Sequence, residues 1–116
     1  MADCSYLKTE VEPFLVNWAA RKIGVPLRPQ KVVVGQDSGG RPVSFAFDGV
    51  SPDGTIGVCV SASSSYKVGQ MRKYFMEAAV LNGCRQFARR IMVFTNRGNW
   101  EGFLNQCDGL LELSRI

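Results

Sequence analysis

The apolar positions of residues 9–23 follow a helical period: Val11, Phe14, Leu15, Trp18, Ala19 and Ile23 share one broad face, with Asn17 and Arg21 opposite. Gly24 and Pro26 end this helix. One residue breaks the pattern: at about 100° per residue, Glu12 projects between Leu15 and Val16, inside the apolar arc. A carboxylate there either stands at the mouth of a site or sits near a helix N-terminus, where the macrodipole tolerates it.

The period then changes to two. Residues 31–36 are a β-branched run, Asp37-Ser38-Gly39-Gly40 supplies turn residues, and Pro42 opens a second strand that runs to Val50. Ser51-Pro52-Asp53-Gly54 reads as a tight turn and residues 55–62 as a third strand, giving an antiparallel meander. Strict alternation sends Phe45 and Phe47 to one face and Ser44, Ala46 and Asp48 to the other. In the third strand it sets Ile56, Val58 and Val60 against Gly57, Cys59 and Ser61. One face is therefore expected to carry bulk, and the other Asp48, Cys59 and Ser61 among small residues. A small-residue face also lets a helix pack close.

Residues 61–65 form a serine-rich linker, and residues 69–81 read as a helix closed by Asn82-Gly83, with Met71, Phe75, Ala78 and Val80 or Leu81 available to the core. Gln70 and Tyr74 lie four apart and so side by side on it, with Lys67 and Lys73 close by. Residues 90–95 are expected to be a buried strand, 96–99 a loop, 100–107 a short helix and 110–113 a candidate last edge strand. No internal repeat appears. The fold class is α/β, a single domain over residues 1–116.

Composition narrows the function. The chain is 46% hydrophobic and 21% charged, which supplies a core without extra staples and excludes a disordered or collagen-like chain. No apolar run approaches the roughly 20 residues that cross a bilayer, so no membrane association is expected and the location reads as cytoplasmic. The absence of histidine removes Ser/His/Asp and Cys/His triads and two-histidine zinc sites. Cys4, Cys59, Cys84 and Cys107 are scattered, with no C-x-x-C pair, and are most simply small buried hydrophobes. The net charge is +4 but uneven: residues 67–97 hold seven cations (Lys67, Arg72, Lys73, Arg85, Arg89, Arg90 and Arg97) against one acid, Glu77. That asymmetry marks either a surface for a polyanion, of which nucleic acid is the commonest, or a solvated helix face with loop cations.

Metal-dependent phosphodiester hydrolysis needs carboxylates converging on a divalent cation, usually with a lysine to position water or offset charge. The carboxylates available here are Asp48 and Glu12, with Asp53 in a turn nearby.

The order helix, three-strand meander, helix, strand, together with Phe47-Asp48-Gly49-Val50-Ser51-Pro52-Asp53-Gly54 and the strand Val58-Cys59-Val60-Ser61, resembles the PD-(D/E)XK nuclease superfamily, the restriction-endonuclease-like fold. The likeness covers the chain from about Glu12 to Thr95. It implies that Asp48 matches the catalytic aspartate ending the second core strand. The family's Glu/Asp-x-Lys positions fall on Cys59, Val60 and Ser61, so both catalytic residues there are replaced. Glu12 matches the helical glutamate of some members, and Gln70-Met71-Arg72-Lys73-Tyr74 matches the Q-x-x-x-Y spacing of the RecB-like branch. The resemblance thus nominates Asp48, Glu12, Gln70, Tyr74 and Lys67 as site residues, with Asp48 and Glu12 holding Mg2+ or Mn2+ in an active enzyme. Cys59 is a poor magnesium ligand and Ser61 carries no cation. The missing groups have a route back: Lys67 or Lys73 can reach toward the Asp48 face, and Gln70 can lend a neutral oxygen.

Three functions follow as expectations. The first is a nuclease-like domain with lost or much reduced catalysis that binds nucleic acid, DNA ahead of RNA, through Lys67, Arg72, Lys73, Arg89 and Arg90. The second is an active metal-dependent nuclease with rearranged catalytic residues. The third is a protein-interaction module, a candidate homodimer or partner-protein subunit, using the late strand and the Trp100/Phe103 helix.

Overall fold

The computed structural model describes residues 10–61, 68–108 and 116, the side chains of residues 68–70 excepted. Its elements are helix α1 (Glu12–Ile23), strands β1 (Arg28–Gln36), β2 (Pro42–Val50) and β3 (Ile56–Ser61), helix α2 (Val68–Gly83), strand β4 (Arg89–Phe94) and helix α3 (Arg97–Cys107). The expected order of elements is present from α1 to α3. The expected strand at 110–113, most of the serine-rich linker, Cys4 and Lys67 lie outside the described residues.

The four strands form one mixed sheet in the order β1-β2-β3-β4. β1 to β3 are the antiparallel meander, and β4 runs parallel to β3. A parallel neighbour needs a crossover, and α2 supplies it. α1 covers one face of the sheet, where Leu15, Val16, Ala19 and Leu27 pack against Ile56, Val58, Val60 and Val93. On the other face, Leu81, Cys84 and Phe87 pack against Val32, Phe47, Val50 and Cys59. Beside them Met71, Tyr74 and Ala78 of α2 meet Phe103 and Cys107 of α3. α1 ends where Gly24 turns left-handed, at φ 74°, and donates its N–H to the Ala20 carbonyl at 2.9 Å.

Several boundaries and faces differ from expectation. β1 begins three residues before Lys31 and includes Pro29, which an edge strand accommodates because it needs no donor on its outer side. Arg97 to Asn99 are helical rather than looped, because the Asn96 side chain caps α3 by accepting the Asn99 N–H at 3.1 Å. The buried stripe of α1 is Leu15, Val16 and Ala19, leaving Phe14 and Trp18 exposed. Glu12 lies at the head of that stripe, three and four residues before Leu15 and Val16.

The largest departure is in β2. Phe47, Asp48, Gly49 and Val50 span the register that only Arg28, Pro29 and Gln30 span on β1, so the strand bulges at Asp48-Gly49. An extra residue resets the alternation. Phe47 and Val50 therefore both join Cys59 on the α2 side, and the expected division into a bulky face and a small one does not hold. What the small residue Gly57 does is admit the ring of Phe87, which lies against its Cα.

Candidate metal centre

The β2–β3 ladder pairs Gly49 with Val58 and Val50 with Gly57 and stops there. Beyond it, the Asp48 carboxylate enters the fork between the strands, and its Oδ2 accepts the Val60 N–H at 2.8 Å. The bulge thus aims Asp48 between the two sheet faces and satisfies a backbone donor that the ladder leaves over.

Three ligand-bearing groups meet at this fork. One ligand atom each of Asp48, Cys59 and Glu77 lies within 4.8 Å of the others. Asp48 comes from the β2 bulge, Cys59 from the centre of β3, and Glu77 from the third turn of α2. Glu77 is only 4% exposed, and its carboxylate accepts the Cys59 thiol. Lys73 lies one turn earlier on the same helix, at the spacing that places two side chains on one face. Its charge favours the ionised forms of both Asp48 and Glu77.

The electrostatics are those of crowded, desolvated anions. Burial pushes the Glu77 carboxyl up to about 7; Lys73 and the Cys59 thiol oppose this, while the charges of Asp48 and Glu12 add to it. Burial also raises Asp48, against the Val60 N–H and Lys73. The Cys59 thiol is held well above its ordinary range by burial first, then by Glu77 and Asp48. A cation placed among these groups relieves all three effects at once.

Glu12 occupies the position that both sequence readings allowed. It opens α1, and with Pro13, Val16, Leu27, Ala46 and Asp48 it lines a cavity of about 320 Å³. That cavity reaches the fork at Asp48, and the field of Glu12 reaches Glu77. The two carboxylates named from the sequence, Asp48 and Glu12, are thus brought to one cavity.

The remaining candidates have other placements. Asp53 is consumed by its own turn: Oδ1 accepts Ser51 Oγ at 2.7 Å, Thr55 Oγ1 at 2.7 Å and the Thr55 N–H at 3.0 Å. These bonds, that of Ser51 foremost, hold its carboxyl below the ordinary range. Tyr74 is buried among Phe94 and Phe103 rather than beside the carboxylates. Its hydroxyl shares a 2.6 Å hydrogen bond with Ser61 Oγ, so Ser61 faces the aromatic core. The Gln70 side chain and Lys67 lie outside what is described.

Among the described residues, the cations do not form one surface. Arg72 and Lys73 are exposed near the start of α2, whereas Arg90 holds the far end of that helix. Arg90 Nε donates to the Leu81 carbonyl at 2.6 Å and Nη2 to the Cys84 carbonyl at 3.1 Å, satisfying the last turn. Nine residues at 1.5 Å each separate Arg72 from Leu81 by about 13 Å along the axis. Arg89 alternates with Arg90 on β4 and so points to the α1 side of the sheet. Of the described members of the expected basic patch, Arg72 and Lys73 stand together on α2 and Arg89 and Arg90 stand apart from them, while Lys67 lies outside the described residues. Replacing Arg90 by methionine is expected to cost about 1.5–3 kcal/mol, the range for hydrogen bonds to a charged group. Urea denaturation measures that loss, and the salt dependence of any nucleic-acid binding is expected to stay unchanged. The Trp100/Phe103 surface shrinks likewise, because Phe103 is buried and only Trp100 and Leu104 of α3 remain exposed large hydrophobics.

Sequence reasoning missed Glu77, counting it as the one acid of a basic segment. The available signal was its spacing, three after Tyr74 and four before Leu81, which puts it on the inward side of α2. Among the described residues, no helix is long and apolar enough to cross a membrane. Compared with known family models, curated proteins and solved structures, the chain matches none.

Proposed function

We propose that the chain is a nuclease-like domain of restriction-endonuclease-like architecture that binds nucleic acid and cleaves its phosphodiesters at a rearranged divalent-metal centre. The observation that carries this reading is the convergence of Asp48 and Glu77 from different elements, with Lys73 acting on both. Two carboxylates and a lysine are what metal-dependent hydrolysis requires. The acid missing from position 59 is supplied from α2 by Glu77, and the cation missing from position 61 by Lys73.

The oxygens of Asp48 and Glu77 offer two anionic ligands to a divalent cation, Mg2+ or Mn2+ among them. Such an ion supplies Lewis-acid polarisation of the phosphoryl oxygen and an activated water. Asp48, fixed by the Val60 N–H, is the rigid member of the pair. Lys73, exposed on α2, is placed to offset the charge that builds on the phosphate. Glu12 borders the cavity through which a phosphodiester reaches the fork. Lys73, whose charge acts on both carboxylates, gives the approach a positive field.

The test is cleavage of labelled single- and double-stranded DNA and RNA with Mg2+ or Mn2+, comparing wild type with Asp48→Ala. Cleavage that is lost in the variant is the expected result, and cleavage that survives it would overturn the assignment. A second reading, binding without cleavage, is favoured by one observation: Ser61, which carries no cation, spends its hydroxyl on Tyr74 in the core and so contributes nothing to the fork. It predicts salt-sensitive binding with no cleavage by either protein.

A further inference from the structure

We propose that Cys59 is itself a metal ligand, and that Asp48, Cys59 and Glu77 form a mixed carboxylate–thiolate site selecting a borderline cation of the zinc class over magnesium. This rests on the reading of Asp48 and Glu77 as a metal-holding pair and adds the thiol and the identity of the ion.

The geometry fits such an ion. Tetrahedral coordination with Zn–S of about 2.3 Å and Zn–O of about 2.0–2.2 Å sets ligand atoms roughly 3.3–3.7 Å apart. The three ligand atoms already lie within 4.8 Å of one another, so a contraction of about 1 Å closes the shell. Three elements supply the ligands, and the Val60 N–H holds the Asp48 carboxylate in orientation, the part that outer-shell partners play at metal sites.

The charge balances as well. One thiolate and two carboxylates carry three negative charges, which a divalent ion and the nearby Lys73 ammonium neutralise. On binding, the Cys59 S–H bond breaks, an S–metal bond forms, and the proton leaves to solvent. The ion takes the place of the thiol proton now shared with Glu77. Magnesium gains nothing from sulfur, whereas zinc and cobalt do. Three protein ligands leave a fourth position for water or a phosphate oxygen, as catalytic zinc sites do.

The experiment is titration of the whole chain with Co2+, followed by the near-ultraviolet sulfur-to-cobalt charge-transfer band, with Zn2+ and Mg2+ as competitors. Wild type is expected to show the band, Zn2+ to abolish it and Mg2+ to leave it. Cys59→Ser is expected to lose the band and to bind at least about 100-fold more weakly, the upper end of what losing an outer-shell partner alone costs. Cys107→Ser, altered at a buried thiol on α3, is expected to retain it. X-ray absorption of the zinc-loaded wild type, which depends on no variant folding, is expected to show one sulfur at about 2.3 Å.

An oxygen-only shell, or a band unchanged in Cys59→Ser, would overturn the inference while leaving an Asp48/Glu77 magnesium or manganese enzyme standing. A cobalt–thiolate band that depends on Cys59, in a chain that neither binds nor cleaves nucleic acid, would support the inference and overturn the proposed function.

Discussion

Glu77→Gln is expected to lower metal-dependent cleavage by at least about 100-fold while making the protein more stable above neutral pH. Loss of an outer-shell group at a metal site costs about 10–100-fold, and an anionic ligand sits at the top of that range or beyond it. The stability change follows from linkage. The Glu77 carboxyl stands at about 7 in the folded chain against an ordinary 4.5, so between those values the folded state binds more protons than the unfolded state. Wild-type stability therefore falls as pH rises through that window, and above it the cost of a buried, repelled carboxylate is fully present. At about 1.4 kcal/mol per pKa unit, that cost is about 3 kcal/mol. Glutamine is close in shape, accepts the Cys59 thiol through its amide oxygen, and carries no charge to desolvate.

Urea denaturation at pH 5 and pH 8 is the check. The variant is expected to lose less stability than wild type between the two. An equal loss in both proteins would show that Glu77 is not the group that titrates. A gain in stability together with a loss of cleavage is the signature of a residue kept for chemistry at the expense of the fold. A merely structural glutamate at this position would lower both.

Gly57→Ala is expected to cost about 3 kcal/mol, the upper part of the usual range for overpacking a core. A Cβ at this position falls 2.5 Å from Cδ2 and Cζ of Phe87 and closer still to Cε2. The ring cannot withdraw freely: it is 1% exposed and meets Phe47 edge-on at 4.9 Å. Interiors are packed at crystal density, so a collision of this depth moves the backbone or expels the ring. The midpoint of urea denaturation is expected to drop at unchanged slope. Phe87→Leu in the Gly57→Ala background is expected to recover part of the loss, a coupling that identifies the ring as the obstacle. Full additivity of the two substitutions would contradict this account.

Much of the architecture was legible in the sequence. The change of period from 3.6 to 2 and back marks α1, the meander, α2 and β4, and the turn residues at 37–40 and 51–54 separate the strands where the structure does. Glu12 stands out in the sequence as a charge inside an apolar arc. The start of α1 accommodates a carboxylate there, and the structure also places it on the cavity that Asp48 lines.

Other features were not legible because they depend on distance through space. The bulge at Asp48-Gly49 has no signature in the order of apolar residues. It is set by how β1 and β2 pair, and one extra residue sends Phe47, Val50 and Cys59 to the same side. Tyr74 carried a motif-like spacing, yet its phenol lies in an aromatic core because β4 and α3 bring Phe94 and Phe103 to it from 20 and 29 residues away. Arg90 counted as one charge among several until the end of α2 was placed beside it.

The sequence by itself determined the elements and their order and nominated the acids Glu12 and Asp48, because local periodicity and turn chemistry act between near neighbours. The tertiary structure alone decided that Glu77 meets Cys59 and Asp48, since Glu77, 18 residues beyond Cys59 in the chain, stands on a helix that must first cross over the sheet. Only then does its one inward carboxylate stand against Asp48 and Cys59.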